Sequence, residues 1–421
     1  MALKRFYRYD FAVTQIFNEL TLKYYGIVVS AHILSYTPTS VVQLLNDTGK
    51  PFFIDPMTFV FARDLDVVSR NGKLRRSYAK LAKEYGLPFQ NCLSGNRVEI
   101  ANFKDANGNL DTNLMTSVCQ RVLDFQRNKC QLPTAFPKYY QLLRKGTTLS
   151  PVSPSFLVAP YFFSNRHGDP WYMLSLGLAK IAQTLKAGLS LYPVLCIPSD
   201  LLWDETQIQN IVRDYAGFDG YLIWVENLDE ATISSGELKG LKLLVEKLAA
   251  SGKPVYSLYG GYLFDLLSKY GLAGYSSGIC YGESRGVDTK GGGAGNRYYI
   301  PFIHLKISED LGNAFFAESG KNRGLMCYCD TCSAMRSTLP ASMSPESYSD
   351  MFFAQMDFLD YRRHFVNVKF DEATALASMS NAQVLNALDA DILTVLNIDP
   401  FKGQPPELTS GHLRTWRELF T

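Results

Sequence analysis

The sequence predicts an α/β fold: a (β/α)8 barrel with a helical insertion after its second strand and a helical subdomain at its C-terminus. Three observations carry that expectation. Between Tyr25 and Ser308, short β-branched and aromatic runs alternate with helical patterns, the signature of βα units around a parallel sheet. There are eight such runs, the number a closed barrel requires. Beyond Ser308 the alternation stops, and a cysteine-rich segment leads into helical patterns alone.

Taken in order, strands are expected at 26–34, 52–55, 156–163, 192–197, 220–226, 255–259, 275–280 and 299–305. Helices at 41–45, 171–186, 205–215, 236–250 and 263–270 fill the spaces between them. The second and third strands are separated by residues 56–154, which carry helical patterns of their own at 73–85, 114–127 and 137–145; such an insertion would sit above the barrel mouth. After Ser308 come helices at 345–363, 371–379, 381–396 and 410–420. The expected division is therefore a barrel over 1–308, with 56–154 inserted, and a C-terminal subdomain over 309–421. No internal repeat is visible, and the only low-complexity tract is the glycine-rich 291–295.

With 421 residues, 47% of them apolar, the chain can bury a large core. It has no apolar run long enough to span a membrane, and the N-terminus lacks the hydrophobic stretch of a signal peptide, so a soluble cytoplasmic protein is expected. Five of the eight cysteines (Cys92, Cys119, Cys130, Cys196 and Cys280) stand alone, which argues for reduced thiols rather than a disulfide framework. The net charge of +2 neither demands nor excludes a polyanionic partner. Locally, Arg70, Lys73, Arg75, Arg76, Lys80 and Lys83 crowd around Tyr78, which reads either as a surface tracking a phosphate backbone or as a solvated helix face.

The other three cysteines fall within six residues, Cys327-Tyr-Cys329-Asp-Thr-Cys332. A C-x-C-x-x-C run can wrap three thiolates around one tetrahedral Zn²⁺, leaving a fourth ligand to come from elsewhere. Of the five histidines, His364 is the candidate: it lies beyond a Ser/Pro/Met-rich connection and a helix, a distance that allows the chain to fold back. Three buried free thiols beside a surface histidine is the alternative.

In a (β/α)8 barrel the reacting groups come from the C-terminal strand ends. Those ends offer Asp55, Arg166 with His167 and Asp169, Asp200, Trp224 with Glu226, and Tyr281 with Glu283 and Arg285. Asp55 abruptly ends the apolar run Phe52-Phe-Ile, where a charge is costly unless it points into a polar mouth. A carboxylate so placed suits cleavage of an N-glycosidic bond, whose transition state resembles an oxocarbenium ion. Glu226 and Glu283 are candidate partners, and Trp224 and Tyr281 candidate platforms for an extruded base. Asp55 can alternatively cap the turn at Pro56. His167 lacks a neighbouring nucleophile, and the glycine-rich loop lacks the Walker pattern.

Together these motifs resemble the tRNA-guanine transglycosylase superfamily, zinc-containing TIM barrels that exchange guanine for a deazaguanine, and their DNA-acting relatives. Cys327, Cys329, Cys332 and His364 match that family's C-x-C-x-x-C…H zinc site. Pro51-Phe-Phe-Ile-Asp55 resembles the strand delivering its first catalytic aspartate, Phe218-Asp-Gly-Tyr-Leu-Ile223 its F-D-G-Y-A-I strand, and Pro254-Val-Tyr-Ser-Leu-Tyr-Gly260 its P-R-Y-L-M-G strand. The departures are as informative. Trp224-Val-Glu226 stands where the family has the G-G-L that binds guanine, and Ile279 falls at the place of the covalent aspartate, with Arg285 on the arginine that follows it. The family's D-S-G-G-F becomes Asp55-Pro-Met-Thr-Phe59.

The resemblance implies a rebuilt base pocket and a changed mechanism. Exchange needs a long-lived covalent intermediate; without its aspartate, attack by water is the simpler outcome. The expectation is a hydrolytic glycosylase that removes a modified base from nucleic acid, with Asp55 as the essential carboxylate, Glu226 or Glu283 assisting, Trp224, Tyr281, Arg285, Arg166 and Asp200 around the substrate, and a structural zinc. DNA is preferred over tRNA, because no RNA-binding appendage follows the barrel. A homodimer and a role in defence against phage fit that reading. Base exchange with a relocated nucleophile, and an inactive nucleic-acid-binding barrel, are the rival expectations.

Overall fold

The computed structural model describes residues 3–20, 23–63, 65, 68–71, 73–131, 151–279, 283, 285–287, 295–401 and 409–421. Seven strands, nearly all of whose side chains are buried, form one curled, all-parallel sheet. They are β1 (Lys4–Arg8), β2 (Gly26–Ser30), β3 (Phe52–Asp55), β4 (Val194–Pro198), β5 (Tyr221–Glu226), β6 (Val255–Ser257) and β7 (Leu272–Gly278), in the spatial order β4-β5-β6-β7-β1-β2-β3. Burial on both faces explains why they read as continuous apolar runs instead of alternating ones. A further short parallel pair, Leu157–Val158 with Leu191–Tyr192, lies beside the sheet. The Ser155 amide donates to the Phe52 carbonyl of β3 (2.8 Å), and the Leu157 and Ala159 amides donate to the carbonyls of Ser190 (2.9 Å) and Tyr192 (3.1 Å).

Aromatic side chains fill the concave side. Phe6 packs edge-on against Phe53 (5.2 Å) and Tyr256 (5.7 Å), Phe53 stacks on Phe156 (4.7 Å), and Phe156 on Tyr192 (4.1 Å), whose ring reaches Tyr256 (6.0 Å). The five rings close a circle. Gly26 and Gly220 make room for it: a Cβ would lie 2.6 Å from the Phe6 ring at Gly26 and 2.4 Å from Tyr192 at Gly220.

The strand order differs from the expected one at two places. The first strand is Lys4–Arg8, which three basic residues disguise as surface: Arg5 is buried against Asp265 (2.8 Å), and the half-buried Arg8 pairs with Asp55 (3.1 Å). Asp55 therefore ends the third strand of the sheet, and the insertion follows the third strand rather than the second. The expected strand at 299–305 is instead split by Pro301 into an antiparallel hairpin, Arg297–Ile300 with Leu305–Ser308, outside the main sheet. Among the C-terminal helices, the expected 345–363 is broken at Asp357, whose capping box starts a new helix that runs through 371 to Ser378. The expected insertion helix at 137–145 lies outside the described residues. Among the described residues no helix is long and apolar enough to cross a membrane.

A buried charged seam joins the C-terminal helices to the sheet. On the helix Phe358–Ser378, Lys369 reaches Asp265 (3.0 Å), which also receives Arg5, and Glu372 (3.2 Å). Glu372 in turn accepts from Tyr299 and holds His304 Nδ1 (2.8 Å), while His304 Nε2 meets Asp391 (3.2 Å) and its ring stacks on Tyr262 (3.4 Å between centroids). Lys269 caps the end of the same helix by donating to the carbonyls of Leu376 and Met379.

This seam has a defined pH response. Burial alone would lower His304, but Glu372 and Asp391 outweigh it and raise its imidazole above the usual histidine value. Its stabilisation is full below pH ~6.5 and is lost as pH rises through the raised folded-state value. Burial would likewise raise Glu372, yet Lys369 and His304 hold it at about 2, so its contribution fades only as pH falls towards that value. In urea denaturation, His304→Gln is expected to lose about 3 kcal/mol at pH 6, and progressively less above neutrality. A penalty that grows with pH would contradict this arrangement.

Candidate active site and metal centre

Strand geometry alone brings the first two site residues together. Alternate side chains share a face, so Arg8 and Asp55 project from the same face as Phe6 and Phe53, two residues nearer the C-terminal ends of their strands. The Arg8 guanidinium crosses β2 and forms an ion pair with Asp55 Oδ2 (3.1 Å), with a second donation to the Leu258 carbonyl (3.3 Å). Asp55 Oδ1 accepts from the Tyr161 hydroxyl (2.9 Å) and the Met57 amide (3.1 Å). Asp55 is fully buried. It thus closes the turn at Pro56, and Met57 adopts a left-handed backbone (φ 56°), which non-glycine residues visit at a cost.

Aromatic and cationic groups surround the carboxylate. Arg8 lies over the Tyr259 ring (4.2 Å), whose hydroxyl accepts from Arg285 Nη1 (3.2 Å). Beside Tyr259 and Asp55, Arg285 is held further into its protonated form than an ordinary arginine, burial notwithstanding. His32, just after β2, stacks on Tyr78 of the inserted helix Arg76–Glu84 (4.6 Å, 14°). Burial, with Arg285 and Arg8 outweighing Asp55, pushes its imidazole down to about 4, so the ring is neutral at physiological pH.

The sequence-derived residues distribute unevenly. Glu226 ends β5, accepts from Asn227 Nδ2 (2.6 Å) and the Val287 amide (3.3 Å), and shares with Asp55 an influence on the buried Cys196 thiol, which burial first of all pushes up. Glu283 belongs elsewhere: it pairs with Lys306 (3.5 Å), and its charge acts on Glu230, Tyr299 and Lys369. Trp224 is no open platform, because it is fully buried against Phe59 and Tyr259 with its indole N–H on the Arg285 carbonyl (2.9 Å). Arg166 and Asp200 are exposed. His167 bonds Asp214 (2.8 Å), and Asp169 caps the helix Pro170–Thr184, so these residues form no triad. Tyr281 lies outside the described residues. The sequence reading missed Arg8, His32, Tyr161 and Tyr259; their signal was position at or just beyond a strand end, the same that singled out Asp55.

The second cluster is Cys327, Cys329, Cys332 and His364, all buried, with ligand atoms within 4.8 Å of one another. His364 Nδ1 lies 3.4 Å from Cys329 Sγ and 3.2 Å from Cys332 Sγ. A tetrahedral ion with bonds of about 2.0–2.3 Å separates its ligands by about 3.5 Å, so the spacing fits. The imidazole is oriented from behind. Nε2 donates to the Tyr299 carbonyl (2.7 Å), leaving Nδ1 towards the sulfurs, and Tyr298 stacks on the ring (4.2 Å). The donors attract positive charge: burial alone would lower His364, but the Cys327 and Cys329 sulfurs outweigh it and lift it to about 10. A soft divalent ion fits such a donor set.

Compared with models of known protein families and with curated proteins, the chain matches none. The metal centre generates its own test. Purified protein is expected to carry one divalent ion per chain by elemental analysis, and Cys332→Ser to lose it along with several degrees of melting temperature. A full-stability Cys332→Ser protein with unchanged metal content would show that the four donors are not ligands.

Proposed function

We propose that this protein is a nucleic-acid N-glycosylase that hydrolyses the bond between a modified base and its sugar, acting on DNA in preference to tRNA. The observation that carries this reading is the Asp55 carboxylate, buried at the end of β3, ion-paired to Arg8, bonded to Tyr161 and ringed by aromatic side chains. A charge fixed there stabilises the sugar cation that develops as the C1′–N bond breaks. Glu226, the other carboxylate of the same neighbourhood, takes the proton from the water that adds to C1′. Arg285 and the neutral His32 supply hydrogen bonds to the departing base, which leaves with the bonding electrons and takes up a proton from solvent, to which Glu226 returns the one it took from the water.

Several observations support the rest of the reading. The bonds from Ser155 to β3 and from Leu157 and Ala159 towards β4, with the closed circle of five rings, favour a (β/α)8 barrel in which residues 155–159 complete the wall. Met57 takes a backbone conformation natural to glycine at the place where the transglycosylase pattern has one. The closed Cys3His donor set favours a structural Zn²⁺. Outside the mouth, Lys73, Arg75, Arg76, Lys80 and Lys83 are exposed around buried Tyr78, a face suited to phosphates.

Base exchange is the second reading, favoured by the likeness of Asp55 and the cysteine segment to the transglycosylases. Against it stands Ile279, buried and apolar at the position of their nucleophile. DNA incubated with labelled 7-deazaguanine separates the two: hydrolysis leaves free base and abasic sites, exchange leaves label in the strand. Asp55→Asn is expected to slow base release about 10²- to 10³-fold while keeping its metal. Release at the wild-type rate would remove Asp55 from the mechanism.

A further inference from the structure

The loop that carries the three sulfurs also carries, between the first two, a side chain that the metal centre does not use. Tyr328 is 68% exposed, unusual for so large a ring. Yet it is held in place. The Arg336 guanidinium lies 3.8 Å from the ring centroid and donates through Nη2 to the Tyr328 hydroxyl (2.8 Å), while its Nη1 is anchored on the Met326 carbonyl (3.0 Å). Ser333 Oγ donates to the Tyr328 carbonyl (2.8 Å). An exposed aromatic fixed in one orientation has already lost the rotamer freedom that binding would otherwise remove.

Beside this ring opens a cleft of about 460 Å³ whose lining includes Arg323, Tyr328, Ser333, Arg336, Ser337 and Tyr348, and no carboxylate. Arg323 lies over Tyr348 (5.0 Å) and is fixed by one donation to the Met343 carbonyl (2.9 Å). A guanidinium has five N–H donors, so both arginines retain capacity for an anion. Two anchored cations, two serine hydroxyls and the exposed, fixed ring of Tyr328 in one cleft match the parts of a nucleotide: phosphate, sugar and base.

We propose that this cleft is a single-nucleotide subsite, in which a base of an unpaired strand stacks on Tyr328 and the adjoining phosphate is bound by Arg323 and Arg336. The assignment rests on the nucleic-acid reading above and adds a second point of contact, apart from the residues around Asp55. Stacking on an aromatic tolerates any base, so the subsite holds the strand without selecting sequence. The metal centre gains a role through it, because the ligands on either side of Tyr328 fix the loop that presents the ring.

Fluorescence anisotropy of a labelled single-stranded oligonucleotide with the full-length, metal-replete protein tests this. Tyr328→Ala should weaken binding roughly tenfold, and Tyr328→Phe, which keeps the stacking face, should stay within about twofold of wild type. Arg323→Gln should reduce the slope of log affinity against log salt by about 0.7. Wild-type binding with affinity unchanged in Tyr328→Ala and salt slope unchanged in Arg323→Gln would overturn the cleft assignment alone. Absence of wild-type binding to DNA and RNA alike would overturn it together with the nucleic-acid reading, and wild-type binding of inorganic phosphate in place of any oligonucleotide would do the same.

Discussion

The ion pair between Arg8 and Asp55 is the constraint on which the rest of the site depends. A charge on a strand otherwise made of Phe52, Phe53 and Ile54 is tolerated only with a partner, and Arg8 provides it from two strands away. Removing one member of such a pair typically costs about 3–5 kcal/mol, because the other is left buried and uncompensated. The pair also organises its surroundings: Arg8 covers Tyr259, Tyr259 receives Arg285, and the Arg285 carbonyl receives Trp224. These polar groups lie one pleat beyond the layer of stacked rings, at the C-terminal ends of their strands.

The metal centre and the charged seam do a different job. Residues 297–300 touch both, since the Tyr299 carbonyl orients His364 while the Tyr299 hydroxyl bonds Glu372. A displacement of His364 would therefore reach the seam that docks the helix Phe358–Ser378 on Asp265, and through Arg5 the first strand itself. Since Arg5 and Arg8 share β1, the helical part of the chain and the Asp55 carboxylate are tied to one strand.

What was legible in the sequence followed from chemistry that is local. Three thiols within six residues single out a donor cluster, which the structure completes with His364, and Asp55 stands out by interrupting an apolar run, where the structure pairs it with Arg8. What was not legible depended on partners distant in the chain. Lys4–Arg8 reads as a charged terminus until Asp265 and Asp55 are in place beside it, and its omission displaced the numbering of every later strand. Tyr299 to Leu305 is apolar enough for a strand, but Pro301 lacks the amide a ladder needs. Trp224 and Glu283 were candidates by position along the chain. Packing decides which way they face, and it buries the first and turns the second to Lys306.

Mass spectrometry of the free bases liberated from a panel of modified genomic DNAs by the metal-replete protein measures base release by this chain directly. One modified base is expected to be released in equal number with new abasic sites, with the unmodified bases retained. No base released from any DNA in the panel, with the protein folded and its metal bound, would contradict it.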